Sequence, residues 1–219
     1  LLSVISLTSG AFAQTGWWNT YGGPSNEQGV SVQQITDDDY IITGWTYSFG
    51  AGGWDVYLVK TSAHGDTLWT RTYGGPDNDQ GYSVQQTSDG GYIIAGTTQS
   101  FGAGFADVWL LRTSASGDTL WTRTYGGPYH DVGNSVQQTS DGGFIIAATT
   151  YPRVADADAW LIKLDAAGDT LWTRTFGGAD DDECYSVKQT ADSGYILAGQ
   201  TNSFGAGSFD MWMLLLAGE

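Results

Sequence analysis

The chain of 219 residues repeats itself at a spacing of about fifty residues. Four copies align on the glycine pairs that follow Tyr21, Tyr73, Tyr125 and Phe176, at spacings of 52, 52 and 51 residues. A fixed period of this length is typical of propellers and solenoids, in which each unit buries its apolar faces only against its neighbours. The repeat therefore predicts a single domain of stacked units.

Each repeat holds four short segments rich in Val, Ile, Thr, Tyr and Trp, separated by glycine and aspartate clusters. This composition and punctuation are typical of strands rather than helices. The sequence predicts an all-β fold, a β-propeller of four-stranded antiparallel blades within one domain over residues 14–219. The predicted blades are 31–73, 83–125, 135–176 and 186–216.

The second segment of each copy, such as residues 92–95, is apolar on both faces, which predicts a strand sandwiched between two sheets. Trp109 and Trp121 recur at equivalent positions in the third and fourth segments of other copies. Aromatic residues repeated in this way are better explained by packing between units than by a ligand platform.

The ends of the repeat array complement each other. A lone fourth segment, residues 17–21, precedes the first copy, and the last copy supplies only three segments from Ser186 onward. We expect residues 17–21 to pair beside residues 212–215 and close four blades into a ring without free edges. The alternative is an open arc belonging to a larger wheel.

Several segments resemble known propeller repeats. The order Tyr-Ile-Ile-Ala-Gly at 92–96, Asp107-Val108-Trp109 and a closing Trp121 resembles a Kelch-type blade. Residues 113–121 are similar to the tryptophan-docking turn of quinoprotein-type (PQQ-like) propellers, although no cofactor-binding residue of those enzymes matches. The Tyr-Gly-Gly, Ser-Val-Gln-Gln-Thr and Asp-Gly-Gly-Tyr sequences resemble the repeats of secreted bacterial and archaeal surface propellers. The resemblance covers residues 17–219 and implies fold more than activity.

Residues 1–13 form an apolar run that ends in Ala-Phe-Ala, which predicts a partial secretory signal peptide cleaved after Ala13. The alternative is a buried first strand. We expect the chain to be exported to the cell surface or the extracellular space. Once the signal peptide is removed, we expect no membrane insertion of the mature chain. The 24 acidic and 8 basic residues give a net charge of −16, which argues against nucleic acid and anionic membrane surfaces as partners.

The sequence contains no recognisable catalytic set. His64 and His130 belong to connections on opposite edges, and no serine or cysteine stands in a nucleophile motif. The single cysteine, Cys184, replaces a glycine of the other copies and is interpreted as drift at a turn, or as a thiol that pairs between chains. We therefore expect a non-enzymatic protein without a cofactor.

Two other functions stay open. One is a polysaccharide hydrolase or lyase that uses acidic loop residues such as Asp131 and Asp156. The other is a structural spacer module of a larger surface protein.

The longer connections are predicted to share one edge of the molecule, which makes that edge the candidate recognition surface. Positions identical in all copies serve the scaffold, so a specific site should use positions that differ. These are Trp54, Phe105, Tyr129, His130, Tyr151, Arg153 and Phe209. Arg153 stands beside Tyr151 in the one aberrant loop, and arginine with an aromatic neighbour is a common recognition pair. The predicted ligand is a glycan or a protein at the cell surface.

Two of the connections between units are rich in carboxylates, at Asp77 and Asp79 and at Asp180 and Asp182. Such segments can bind Ca²⁺, which takes six to eight oxygen ligands. The preferred interpretation is that Asp79, Asp131 and Asp182 cap backbone amides in a tight turn, because only two copies have the second carboxylate.

Overall fold

The computed structural model describes residues 16–153 and 156–218, with the side chain of Arg153 outside that description. The predicted signal segment, residues 1–13, lies outside the described residues. Fifteen β-strands and no helices form over the described ranges, which confirms the prediction of an all-β repeat. No helix in this part of the chain is long and apolar enough to cross a membrane.

The strands fall into four units that follow the sequence repeat. The first unit contains β1 Glu27–Gln34, β2 Tyr40–Thr46, β3 Asp55–Thr61 and β4 Thr67–Tyr73. The second contains β5 Asp79–Gln86, β6 Tyr92–Thr98, β7 Asp107–Thr113 and β8 Thr119–Tyr125. The third contains β9 Asp131–Gln138, β10 Phe144–Arg153, β11 Asp156–Leu164 and β12 Thr170–Phe176. The fourth contains β13 Asp182–Gln189, β14 Tyr195–Thr201 and β15 Asp210–Leu216.

Each unit is a separate antiparallel sheet in which consecutive strands are neighbours. The first hairpin turn of each unit holds one residue with positive φ. Gly90 and Gly142 take this position at φ 84° and 83°, whereas Asp38 and Ser193 adopt it in the outer units at 64° and 66°. Glycine adopts this conformation without a steric cost, which explains the Asp-Gly-Gly sequence of the two inner units.

The first strand of each unit begins four residues earlier than the sequence predicts, for example at Asp79 instead of Ser83. Asp79 donates its backbone N–H to the carbonyl of Trp54 in the preceding unit, at 2.6 Å, and aligns with Thr98 in the β6 ladder. The ladder skips Tyr82 between Gly81 and Ser83, so Tyr82 forms a β-bulge. A bulge bends the strand and redirects a side chain, and the other units have it at Val30, Asn134 and Tyr185.

The units stack face against face. We call the face that packs on the preceding unit the leading face and the opposite one the trailing face. At the junction of the second and third units, the trailing-face residues Val108 and Leu110 pack against the leading-face residues Val136 and Ile146, all buried. Full burial of such a side chain stabilises the fold by about 1.5–3 kcal/mol. Equivalent apolar clusters fill the other two junctions between the units.

Side chains of the first strands link neighbouring units. The Gln85 carbonyl Oε1 accepts from the backbone N–H of Gln138 at 2.6 Å, and the Gln138 Oε1 accepts from the N–H of Ser88 at 2.8 Å. The Ser83 hydroxyl accepts from the N–H of Val136 at 3.2 Å. The repeated Ser-Val-Gln-Gln sequence is therefore a reciprocal link between units.

The prediction of a β-propeller closed by residues 17–21 is wrong. The four sheets do not join into a closed sheet in the described chain, and β15 pairs only with β14. Residues 17–21 form no strand and instead lie on the first unit, where the Tyr21 hydroxyl donates to the carbonyl of Gly65 at 2.8 Å. Tyr73 and Tyr125 make the same bond to the turn of the following unit, both at 2.6 Å. The repeated residues thus specify contacts between consecutive units. These contacts form whether or not the first and fourth units meet.

Candidate functional site

The connections between second and third strands lie beside the connections between consecutive units, on one edge of the molecule. We call this edge the loop edge. Backbone hydrogen bonds join them at each junction: Gln99 donates to Asn78, Tyr151 to His130 and Asn202 to Asp181, at 2.8–3.0 Å. The loops are therefore held in place by the junctions on which they lie. A rigid scaffold that displays loops in this way is a common arrangement for binding.

The acidic residues at the start of the first strands hold turns of this edge. The carboxylate of Asp79 is buried and accepts hydrogen bonds from the N–H of Gly75 at 2.8 Å, from the Ser100 hydroxyl at 2.7 Å and from Thr98. Asp182 is also buried and accepts from the N–H of Gly178 at 2.7 Å and from Thr201. Several such bonds satisfy a buried carboxylate without a cation.

The partners proposed for these two residues as calcium ligands, Asp77 and Asp180, are exposed. Their backbone N–H groups donate to Ser100 and Ser203 at 3.1 and 3.0 Å. Across residues 16–153 and 156–218, the structure contains no group of three or more His, Cys, Asp or Glu side chains placed to hold a metal ion.

Three of the predicted site residues come together at the junction of the second and third units. The rings of Phe105 and His130 stack at a centroid distance of 5.7 Å and an interplanar angle of 9°, and Tyr151 meets His130 edge-on at 6.4 Å. We call these three residues the aromatic platform. Phe105 is 70% exposed, so the outer face of its ring is open to solvent.

Main-chain contacts fix the platform. Ala106 and His130 form a parallel β-bridge, and Asp131 donates its N–H to the carbonyl of Ala106 at 2.8 Å. Tyr151 lies in β10, which is longer than the second strands of the other units because Arg153 pairs with Asp156. The extension of β10 therefore carries Tyr151 to the junction.

Carboxylates flank the platform on the fourth unit. The pKa of Tyr151 is raised by burial and then by the negative charges of Glu183 and Asp181. Glu183 accepts hydrogen bonds from the Tyr185 hydroxyl and from the side-chain amide of Gln200. The pKa of the Tyr185 hydroxyl is raised by burial, by this hydrogen bond and by the charge of Glu183. The platform therefore combines open aromatic surface with hydrogen-bond acceptors.

A second aromatic group occupies the junction of the first and second units. Trp54, a predicted site residue, lies 6.3 Å from Trp45, and Trp45 meets the bulge residue Tyr82 edge-on at 5.8 Å. Sequence reasoning missed Trp45, Tyr82 and Tyr185. Each of these positions differs between copies, which is the property that identified the predicted site residues. They lie in strands, however, and only variable positions in the loops were predicted to bind.

The remaining predicted residues are separate from these groups. Tyr129 is half-buried and accepts from the N–H of Ala106 through its carbonyl at 3.4 Å, while Phe209 is exposed on the fourth unit. The backbone of Arg153 ends β10, and its predicted role as an anchor concerns a side chain outside the described part of the structure.

The candidates for other chemistry are buried in the scaffold. Asp131 is buried and accepts from the N–H of Gly127 at 2.8 Å. Cys184 lies in β13 rather than in a turn, and burial raises the pKa of its thiol to about 12. A buried thiol with a raised pKa forms little thiolate and is inert, which disfavours pairing between chains.

Comparisons with known proteins show limited similarity. No protein-family model matches the chain. The regulatory protein FlaEY of Caulobacter vibrioides is 26% identical over 186 residues, covering 72% of this chain and 20% of FlaEY. The tail fibre of Staphylococcus aureus phage P68 aligns with a TM-score of 0.32 and 10% identity, over 90% of this chain and 51% of that chain. The chain thus spans about a fifth of FlaEY and about half of the tail-fibre chain.

Proposed function

We propose that this chain is an exported, non-enzymatic surface protein that binds a neutral carbohydrate on the aromatic platform. The observation that carries the proposal is the Phe105–His130 stack, with its open ring face and with Tyr151 beside it. Binding sites for small ligands combine apolar and aromatic surface with a few well-placed polar groups. A sugar ring offers an apolar face that can pack on Phe105. Its hydroxyl groups can donate hydrogen bonds to the carboxylates of Glu183 and Asp181.

Charge narrows the class of ligand. The chain carries a net charge of −16, and the carboxylates of Asp181 and Glu183 act on Tyr151. A uronic-acid or sulfated polymer would be repelled by this field. A neutral polysaccharide has no such penalty, and its hydroxyl groups are suitable donors to carboxylate oxygens.

The test is a glycan array followed by calorimetry on the neutral glycan that binds. The Phe105→Ala and Tyr151→Ala variants should each weaken binding by about 10-fold or more, which corresponds to about 1.4 kcal/mol. The matched control is Leu120→Ala, since Leu120 is an exposed apolar residue on β8. Unchanged affinity in both platform variants, or an equal loss in the control, contradicts the proposal.

A hydrolase is the second candidate, because the Asp156 Oδ1 is a buried carboxylate oxygen without a hydrogen-bond partner in the described structure. An unpartnered buried carboxylate is costly and is more frequent at functional sites. Release of reducing sugar that disappears in the Asp156→Asn variant would replace the binding function with hydrolysis.

A further inference from the structure

The second aromatic group lies at the junction of the first and second units, one junction away from the aromatic platform. It consists of Trp45, Trp54 and Tyr82, and the ring centroid of Trp45 is 6.3 Å from that of Trp54 and 5.8 Å from that of Tyr82. We call these three residues the tryptophan group. The second unit separates it from the platform, so the two groups occupy successive junctions of the array.

Hydrogen bonds hold Trp54 on the loop edge of its junction. Its carbonyl accepts from the N–H of Asp79 at 2.6 Å, and its own N–H donates to the Asn78 Oδ1 at 3.1 Å. At the platform, the carbonyl of Ala106 accepts from the N–H of Asp131 in the same way, at 2.8 Å. Equivalent main-chain contacts of two successive units therefore position the two aromatic groups on one edge.

The scaffold does not require a tryptophan at either position. Trp54 is 37% exposed, whereas Ala106, its equivalent in the second unit, is 3% exposed. Trp45 is half-buried and takes the position of Thr97, whose hydroxyl donates to one carbonyl of its own unit and one of the third unit, at 3.2 and 3.1 Å. Small residues thus complete the next junction, which leaves the exposed surface of the two tryptophans for another role.

Amide side chains accompany the tryptophan group on the second unit. The Asn78 amide nitrogen donates to the Gln99 Oε1 at 3.2 Å, and the Tyr82 hydroxyl donates to the Gln80 Oε1 at 2.8 Å. An amide side chain has two N–H donors and an oxygen with two acceptor positions, so each retains hydrogen-bonding capacity beyond these contacts. Uncharged donors and acceptors beside partly open aromatic rings fit the hydroxyl groups and the apolar ring face of a neutral sugar.

We propose that the ligand is a linear neutral glycan of β-linked glucose or mannose, and that the tryptophan group is a second subsite for it. The inference rests on the proposed function, because the glycan extends from the aromatic platform across the second unit. Packed sheets lie about 10 Å apart, so the bound glycan has to reach at least about that far along the loop edge. That span is longer than one sugar ring, which selects a linear chain over a single terminal sugar.

Two linked subsites make affinity depend on the length of the glycan. A disaccharide occupies one aromatic group at a time, whereas a longer chain that is bound at the platform meets the tryptophan group as an intramolecular step. The effective concentration in such a step raises the overall affinity without any change in either subsite, provided that the chain can span both. Affinity should therefore increase sharply between a disaccharide and a hexasaccharide.

Calorimetry with cellobiose and cellohexaose, and with mannobiose and mannohexaose, tests the second subsite. In at least one series, wild type should bind the hexasaccharide at least about 10-fold more tightly than the disaccharide. Trp54→Ala should remove this gain with length, whereas Phe105→Ala should weaken the binding of both lengths. Leu120→Ala, on an exposed apolar residue of β8, is the control and should keep the ratio of wild type.

A measurement on the isotope-labelled wild type does not depend on the folding of a variant. At matched saturation, the indole N–H signals of Trp45 and Trp54 should shift with the hexasaccharide and much less with the disaccharide. Equal affinity for the two lengths, indole signals that the hexasaccharide leaves in place, or no binding of either series overturns the second subsite. Absence of binding by every neutral glycan on the array contradicts the proposed function as well, so the two failures are distinguishable.

Discussion

The Asp141 carboxylate beside the buried Lys163 ammonium stabilises the fold to an extent that depends on pH. The Lys163 Nζ donates to the Asp141 carboxylate at 2.8 Å, to the Thr139 hydroxyl at 3.0 Å and to the Leu164 carbonyl at 3.0 Å. Burial raises the pKa of Asp141, but hydrogen bonds from Lys163, Thr139 and Gly143 outweigh this effect. Together they lower the pKa from 3.8 to about 2. The carboxylate thus stabilises the fold in its charged form.

The expected magnitude follows from that change. A fall in pKa from 3.8 to about 2 corresponds to about 2.4 kcal/mol. The Asp141 side chain is 55% exposed, so solvent screening reduces the figure to about 1–1.5 kcal/mol. Because the pKa is lower in the folded state, this stability is present above the unfolded value and is lost as the pH falls from about 4 to 2.

Urea unfolding of Asp141→Asn and wild type, followed by tryptophan fluorescence at several pH values, measures this contribution. The repeat supplies a matched control in Asp192→Asn, because Asp192 holds the equivalent turn through Thr190 and Gly194, while Leu215 takes the position of the lysine. We expect Asp141→Asn to cost more at pH 7 than the control, with the difference shrinking toward pH 2. Equal losses in the two variants, or a difference that persists at pH 2, would show that the Lys163–Asp141 pair does not stabilise the fold.

Three further predictions concern the junctions. Leu161→Ala should lower the free energy of unfolding by about 2–5 kcal/mol, whereas Met213→Ala at the equivalent position should cost far less, because Leu161 is fully buried and Met213 is 68% exposed; chemical denaturation compares them. Asp107→Asn should raise stability at neutral pH by up to about 1 kcal/mol, since burial and the charge of Asp131 raise the pKa of Asp107, and the gain should shrink as falling pH protonates the wild-type group; a loss at neutral pH contradicts this. Cys184 should resist thiol alkylation in the folded chain and react fully in urea, as mass spectrometry can show, and rapid labelling without denaturant would speak against its burial.

The strands were predictable because their pattern is local. Alternation, glycine turns and the recurring tryptophans determine each unit and its contact with the next, and Trp69 or Trp121 repeats that contact. Closure was not predictable from the same signals, because contacts between consecutive units are satisfied in a ring and in an open array alike. The first strands were predicted too short, since the bulge at Tyr82 breaks the alternation that marks a strand.

The candidate site was predictable only in part. Phe105, His130 and Tyr151 were identified because they differ between copies in the loops, and the structure brings their rings together. Trp45 and Tyr185 escaped because they lie within strands, where aromatic residues are expected to serve packing. In the structure Trp45 contacts Trp54 and Tyr82, and the Tyr185 hydroxyl donates to Glu183.

The four units form an open array with residues 17–21 on the first unit. Nuclear Overhauser contacts test this arrangement in a labelled chain diluted with unlabelled protein, so that only contacts within one chain are seen. We expect contacts between the rings of Trp17 and Tyr40 and between the Asn19 side chain and Gly65, which are in contact in the structure. Contacts within one chain between residues 18–21 and 212–215 would contradict the open array.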